Sequence, residues 1–160
     1  MKKIILAFLV LIFSSCIGVA SLFDLDDYIL STGNEYLTSN LAFANRNETT
    51  GDYVAMVSLG KDNELVLVSL YETNNITNFN EKNMTEANGY KPVKKPYRGY
   101  LKVNDSDDTV AYTGFVKENL SIFALFQSYQ EAINMLPELK VISRKDYQKI
   151  KGEELAASLS

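Results

Sequence analysis

The spacing of apolar residues changes period several times along the chain. Ile4 to Phe13 is an unbroken apolar run of ten residues. From Asp24 to about Ala44, Leu25, Ile29, Tyr36, Leu37 and Leu41 recur at mostly helical spacing and predict an N-terminal helix. Asp24, Asp26 and Asp27 stand at its start, where carboxylates favour the positive end of a helix. Gly33 weakens the middle, and Thr32-Gly33-Asn34-Glu35 has the form of a capping box that restarts it, leaving one helix or two open.

After a polar loop at 45–52 the period shifts to strands. Tyr53–Leu59 and Leu65–Tyr71 flank a short polar turn, the signature of a hairpin. Both faces of the second run (LVLVSLY) are apolar, which predicts a central strand covered on both sides. Residues 72–96 are Asn-rich with little periodicity and read as a long loop. Tyr97–Val103 and Thr109–Val116, joined by Asn104-Asp105-Ser106-Asp107-Asp108, predict a second hairpin. Asn119 is placed to cap a helix carrying Ile122, Phe126, Tyr129, Ile133 and Leu136 on one stripe, ended by Pro137. Leu139–Ser143 reads as a fifth strand, and Ser143 caps a final helix that frays after Gly152. Hairpins grouped together with helices outside them predict an α+β fold. Its expected sheet is mainly antiparallel, with about five strands and flanking N- and C-terminal helices.

The first apolar run stands apart from this domain. Ten residues cover about half of a bilayer core, too short to span it as a helix. Met1-Lys2-Lys3, the run and the small residues that follow have the plan of an export signal. Phe13-Ser14-Ser15-Cys16 resembles a bacterial lipobox, with Phe where Leu is usual, and Cys16 is the one Cys in the chain. The resemblance implies a signal peptide at 1–15, a lipidated Cys16 with a tether to residue 23, and a single domain over 24–160. The alternative is cleavage further on, near Ala20, giving a periplasmic or secreted protein. Ile17 follows the Cys, and no Asp stands there to signal inner-membrane retention. In a cell with two membranes this favours the outer one.

Composition then narrows the chemistry. With no His and one Cys there is no imidazole base, no Ser-His or Cys-His pair, no Cys-rich zinc site and no internal disulfide. The net charge is −4; removing Lys2 and Lys3 leaves 14 basic against 20 acidic residues, or −6. An acidic domain has no general attraction for nucleic acid. The acid clusters Asp24/Asp26/Asp27 and Asp105/Asp107/Asp108 lack a full calcium-loop pattern, and such residues are also what turns and helix starts prefer. Ser58-Leu59-Gly60-Lys61 has the spacing of a Ser-Lys pair but falls where a strand enters a turn. No cofactor and no metal are expected. An enzyme of this composition would have to be a small carboxylate-only hydrolase, and no pair of acids is marked out for that role.

Two features carry binding chemistry. The segment Tyr90–Lys102 is basic within an acidic protein, interleaving Lys91, Lys94, Lys95, Arg98 and Lys102 with Tyr97 and Tyr100. Cations hold anionic groups and tyrosine faces stack on sugars, so these seven residues form the candidate contact surface for an envelope protein or an anionic glycan. The same composition also suits a solvated edge strand. Five N-x-S/T sequons occur, at Asn47, Asn75, Asn83, Asn104 and Asn119. Asn83, preceded by Glu81, fits the longer acceptor of bacterial glycosylation. The run Leu136–Ser160 (LPELKVISRKDYQKIKGEELAASLS) also resembles, over about 25 residues, the helix-strand-helix tail of the curli-secretion and penicillin-binding-protein-activator lipoproteins. That likeness implies an accessory or activator role.

The reading as a whole is a non-enzymatic envelope lipoprotein with a binding or assembly role. Labelled palmitate should enter the wild-type chain and be absent from Cys16→Ser in cells. Equal labelling of the two would remove the anchor.

Overall fold

In the computed structural model, which describes residues 21–33, 37–61, 64–74 and 81–159, ten strands form two antiparallel sheets. The export signal, Cys16 and most of the tether lie outside the described residues. Among those described, no helix is long and apolar enough to cross a membrane. The chain opens with β1 (Leu22–Leu25) and β2 (Tyr28–Ser31), then β3 (Leu37–Arg46), β4 (Tyr53–Lys61) and β5 (Glu64–Glu72). Next come β6 (Tyr90–Val93), β7 (Gly99–Val103), β8 (Val110–Lys117) and β9 (Leu120–Phe126). It closes with helix α1 (Tyr129–Met135), β10 (Lys140–Ser143) and helix α2 (Arg144–Ser158). The small sheet has the order β1-β2-β10 and the large one β3-β4-β5-β9-β8-β7-β6.

The α+β class and the antiparallel sheet are as expected; the number of strands is twice the expected five. Both hairpins, the strand before Ser143 and the Ser143 cap are present, the cap accepting a hydrogen bond from the Asp146 amide at 3.1 Å. The final helix passes through Gly152 to Ser158. The long loop contains β6 and two 3-10 turns, Glu81–Asn83 and Glu86–Asn88.

One expected helix is strand and turn in its described residues, and a second is strand in its first half and helix over Tyr129–Met135. Asp24–Ala44 holds a tight hairpin and then β3. Leu25 pairs with Tyr28 across Asp26-Asp27, and Asp26 takes a left-handed φ of 60° while its amide donates to Asp24 Oδ1. The carboxylates therefore serve a turn, a role Asp fills as readily as a helix start. Residues 120–126 form β9 in place of the first half of the expected helix. Leu120, Ile122, Ala124 and Phe126 all point inward at a period of two. The stripe through Ile122 and Phe126 satisfies both periods because intervening residues are apolar as well. Asn119 sits in the β8–β9 turn, and the cap of α1 is Ser128, whose hydroxyl accepts from the Glu131 amide.

One core lies between the sheets. Tyr53, Ala55, Val57 and Leu59 of β4 face Val66, Val68 and Leu70 of β5 and the inward row of β9. Phe23, Leu25, Tyr28 and Leu30 of the small sheet close it from above, with Ala132 and Met135 of α1 at the end. Buried tyrosines stitch the layers together. The Tyr53 hydroxyl donates to the Leu25 carbonyl, linking β4 to β1. The Tyr97 hydroxyl accepts from the Val141 amide at 2.8 Å, linking the approach to β7 with β10. The Tyr112 hydroxyl donates to the Tyr97 carbonyl at 2.8 Å and accepts from the Tyr97 amide at 3.2 Å. Burial pushes the Tyr112 phenol up to about 12, so it stays a neutral donor.

Space for that phenol depends on Gly114, two residues along the same strand, because a Cβ there would overlap the Tyr112 hydroxyl. Gly114→Ala should cost about 2 kcal/mol in urea unfolding, through overpacking and lost hydrogen bonds. Gly152 in α2 has no atom within 4 Å of such a Cβ. Gly152→Ala should therefore stabilise by about 0.5–1 kcal/mol. A harmless Gly114→Ala would show that the seam is not the tight point.

Candidate functional site

The large sheet presents its second face outward, and that face is the molecule's most distinctive surface. Alternation along each strand sends one row to the core and the other to this face. Phe43 of β3, Val54 and Met56 of β4, Leu65 and Leu67 of β5, and Phe123 and Leu125 of β9 all lie on it. Phe43 is 50% exposed, Leu65 51%, Phe123 39%, Leu125 37% and Val54 36%. The expectation that β5 is central holds, since it lies between β4 and β9. Its expected cover on both sides does not: no described element lies over the outer row. Side chains this large and this contiguous on a surface mark a place of contact.

The expected basic segment lies at the β6–β7 edge of the sheet, where Lys102, in register with Ala111 and Leu125, is on this outer face and Lys91, in register with the buried Leu101, is on the other. Lys91 lies on β6, Lys94 and Lys95 on the connection, and Arg98 at the entry to β7. Lys91, Lys94, Lys95, Arg98 and Lys102 are all exposed. Lys102 lies over the Tyr90 ring, 4.9 Å from its centre, and Tyr90 meets Tyr100 edge-on at 6.4 Å. Three of the seven candidates have hydrogen-bonding partners that sequence could not reveal. Arg98 pairs with Glu81 and covers the Phe115 ring, and the Tyr100 hydroxyl donates to Glu81 at 2.9 Å. The hydrogen bond from Arg98, with that from Tyr100, holds the Glu81 carboxyl below the usual range. Tyr97 faces inward, its ring against the core and its hydroxyl on Val141. The structure thus gathers Lys91, Lys94, Lys95 and Lys102 at one edge, and Tyr97 serves the fold.

Shallow recesses flank the 104–109 turn at the end of the outer face. One is lined by Ser58, Leu65, Leu67, Leu125 and Gln127, and the next by Lys102, Val103, Ala111 and Leu125. The turn itself spends its polar groups locally. Asn104 Oδ1 accepts from the Ser106 amide and hydroxyl, and Asp107 Oδ1 from the amide and hydroxyl of Thr109. Among the described residues no group of three or more acids or Cys is gathered closely enough to hold a metal ion.

Of the sequons, Asn83 is exposed in a 3-10 turn with its backbone carbonyl accepting from Asn88 at 2.7 Å. The Asn119 amide is committed to Glu72 at 3.2 Å, and the Asn47 and Asn104 side chains to their own turns. Asn75 lies outside the described residues.

A second polar cluster sits where the two sheets meet. Glu72 Oε2 accepts from Arg46 at 2.7 Å and from the Tyr28 hydroxyl at 2.9 Å, and Lys117 Nζ is 3.7 Å from Oε1. Arg46 also donates to Asp27 and to the Gly51 carbonyl, both at 2.5 Å, and lies over the Tyr53 ring at 5.2 Å. Burial opposes ionisation of Glu72, but the bonds from Arg46 and Tyr28 outweigh it and hold the carboxyl below its usual value. That is the reverse of what a general acid requires. Two carboxylates meet two cations here, and the cluster works as a neutral clamp between sheets.

The clamp predicts a pH dependence. A lowered folded-state value means stability present above the ordinary value near 4.5 and lost as pH falls through the folded one. Urea unfolding from pH 7 to pH 3 should show wild-type stability falling below about pH 4.5. Glu72→Gln should be weaker by about 2 kcal/mol at pH 7, with a shallower fall on acidification. Parallel curves for the two would assign the acid lability elsewhere.

Compared with known proteins, the chain matches no family model, no curated protein and no solved structure.

Proposed function

We propose that this chain is a bacterial envelope lipoprotein, anchored through Cys16, whose domain binds another envelope component and carries out no chemistry of its own. The observation that carries this reading is the outer sheet face. Phe43, Val54, Leu65, Phe123 and Leu125 stand open on it, with Lys102 on the same face and Lys91, Lys94 and Lys95 beyond it at the β6–β7 edge of the sheet. An apolar centre with a charged rim is the anatomy of a docking surface. The partner that fits offers apolar groups flanked by anionic ones, either acidic side chains or the carboxylates of a cell-wall glycan.

The position of the tether supports this orientation. The chain enters the domain at β1, in the small sheet, on the layer opposite the outer face. Residues 16–21 reach at most about 20 Å when extended. An anchor on that side leaves the outer face turned away from the tether. Fixing the domain at one surface also raises its effective concentration there, so a shallow contact suffices. The hydrolase alternative is less well supported, because Glu72, Glu81 and Asp107 are all held below their ordinary carboxyl values.

Crosslinking followed by pulldown from cells tests the reading. Changing Lys91, Lys94 and Lys95 together to Glu leaves Arg98 paired with Glu81 and should reduce the captured partner at least tenfold, with an unchanged circular dichroism spectrum. An identical set of captured components would remove the basic margin from the function.

A further inference from the structure

The two edges of the large sheet are built differently. One edge is β6, where Pro92 offers no amide hydrogen and Lys91, Lys94 and Lys95 line the approach. Proline and lysine are the usual means of keeping an edge from pairing with another strand. The other edge is β3, ten residues long (LTSNLAFANR). It contains no proline and no ionisable side chain from Leu37 to Asn45. Its terminal Arg46 is neutralised by Asp27 and Glu72. A bulge interrupts the register between Thr38 and Ala42, but Ala42 to Arg46 pair regularly with Val57 to Tyr53. Along that regular stretch Ala42, Phe43, Asn45 and Arg46 are exposed, including Ala42 on the inner face and Phe43 on the outer.

We infer that two copies of this chain pair antiparallel along Ala42–Arg46 of β3, joining their seven-stranded sheets edge to edge into one of fourteen strands. A second copy fits this edge better than an unlike partner for a reason of charge. In a two-fold pairing each residue meets itself or a near neighbour in the strand. That arrangement sets lysine against lysine at β6, and at β3 it brings together only Ala, Phe and Asn beside a neutralised Arg. In a chain of net charge −4, this uncharged edge is where two copies approach without acid facing acid.

The two-fold axis stands normal to the sheet and keeps outer face beside outer face. Phe43 of each copy then extends the apolar surface across the junction, while both basic margins lie at the far ends. A five-residue edge is small beside a standard interface, so the dimer is concentration-dependent, and a shared membrane anchor would favour it.

Light scattering on the purified protein should show a mass rising with concentration from that of one chain toward twice that value. Phe43→Lys should stay at the single-chain mass with an unchanged melting temperature, since the side chain is half exposed. Asn45→Lys, also exposed, should do the same and covers the case in which the first variant folds poorly. Oxidative crosslinking adds the geometry, because strand partners about 4.5–5.5 Å apart at Cα lie within disulfide reach. In a Cys16→Ser background, Ala44→Cys, the position that meets itself on the two-fold axis, should give a dimer band that Lys91→Cys and Phe123→Cys lack. A wild-type mass of one chain at every concentration would overturn the inference. A dimer that survives both lysine variants, or crosslinks best through Phe123→Cys or Lys91→Cys, would overturn it equally.

Discussion

The arrangement of this domain depends on buried tyrosines that act at both ends of the side chain. Tyr28 and Tyr53 meet in the core with ring centres 5.3 Å apart, and their hydroxyls reach Glu72 and the Leu25 carbonyl. On the other side the Tyr112 hydroxyl bonds to the Tyr97 backbone, and the Tyr97 hydroxyl in turn accepts from the Val141 amide. A ring supplies apolar area while its hydroxyl requires a partner, so each tyrosine fixes both a depth and a direction. Phenylalanines would fill nearly the same volume without specifying which strand of the small sheet lies over which strand of the large one.

That seam has a consequence for the surface. The small sheet and α1 use up the inner face, and α2 begins on the β1–β2 turn, where the Arg144 amide donates to the Asp27 carbonyl and its guanidinium reaches Asp24 and the Asp26 carbonyl. Every described element that covers a sheet is therefore on one side. Among the described residues nothing covers the outer row of the large sheet, where Phe43, Leu65, Phe123 and Leu125 are exposed. Stability accounts for the inner row; the proposed docking role rests on the outer one.

The polar groups divide in the same manner. Those at the sheet junction, Arg46, Asp27, Glu72 and Lys117, neutralise one another. Lys91, Lys94, Lys95 and Lys102 sit at the far edge, exposed and on one margin, while Arg98 is held by Glu81. A cation that is paired contributes to the fold, and the exposed ones remain available to the proposed contact. The same cations, with Pro92, protect β6 from strand pairing and leave β3 as the edge open to it.

By itself the sequence determined what local spacing and local chemistry determine. Both hairpins, the strand before Ser143, the Ser143 cap and the antiparallel α+β class follow from period-two runs and turn residues within a few positions of one another. The absence of His and the lone Cys bounded the chemistry in the same way. Only the tertiary structure decided Asp24–Ala44 and Leu120–Phe126, where apolar residues fit a helical and a strand period equally well. There the choice rests on strand pairing, with β4 and β8 next along the chain and with β10 and β5 far from it in sequence. It also decided the site. That Glu81 would hold Arg98, that Tyr97 would turn inward, and that Leu65 and Phe123 would stand open depends on which face of the sheet the small sheet covers, and no local pattern records that.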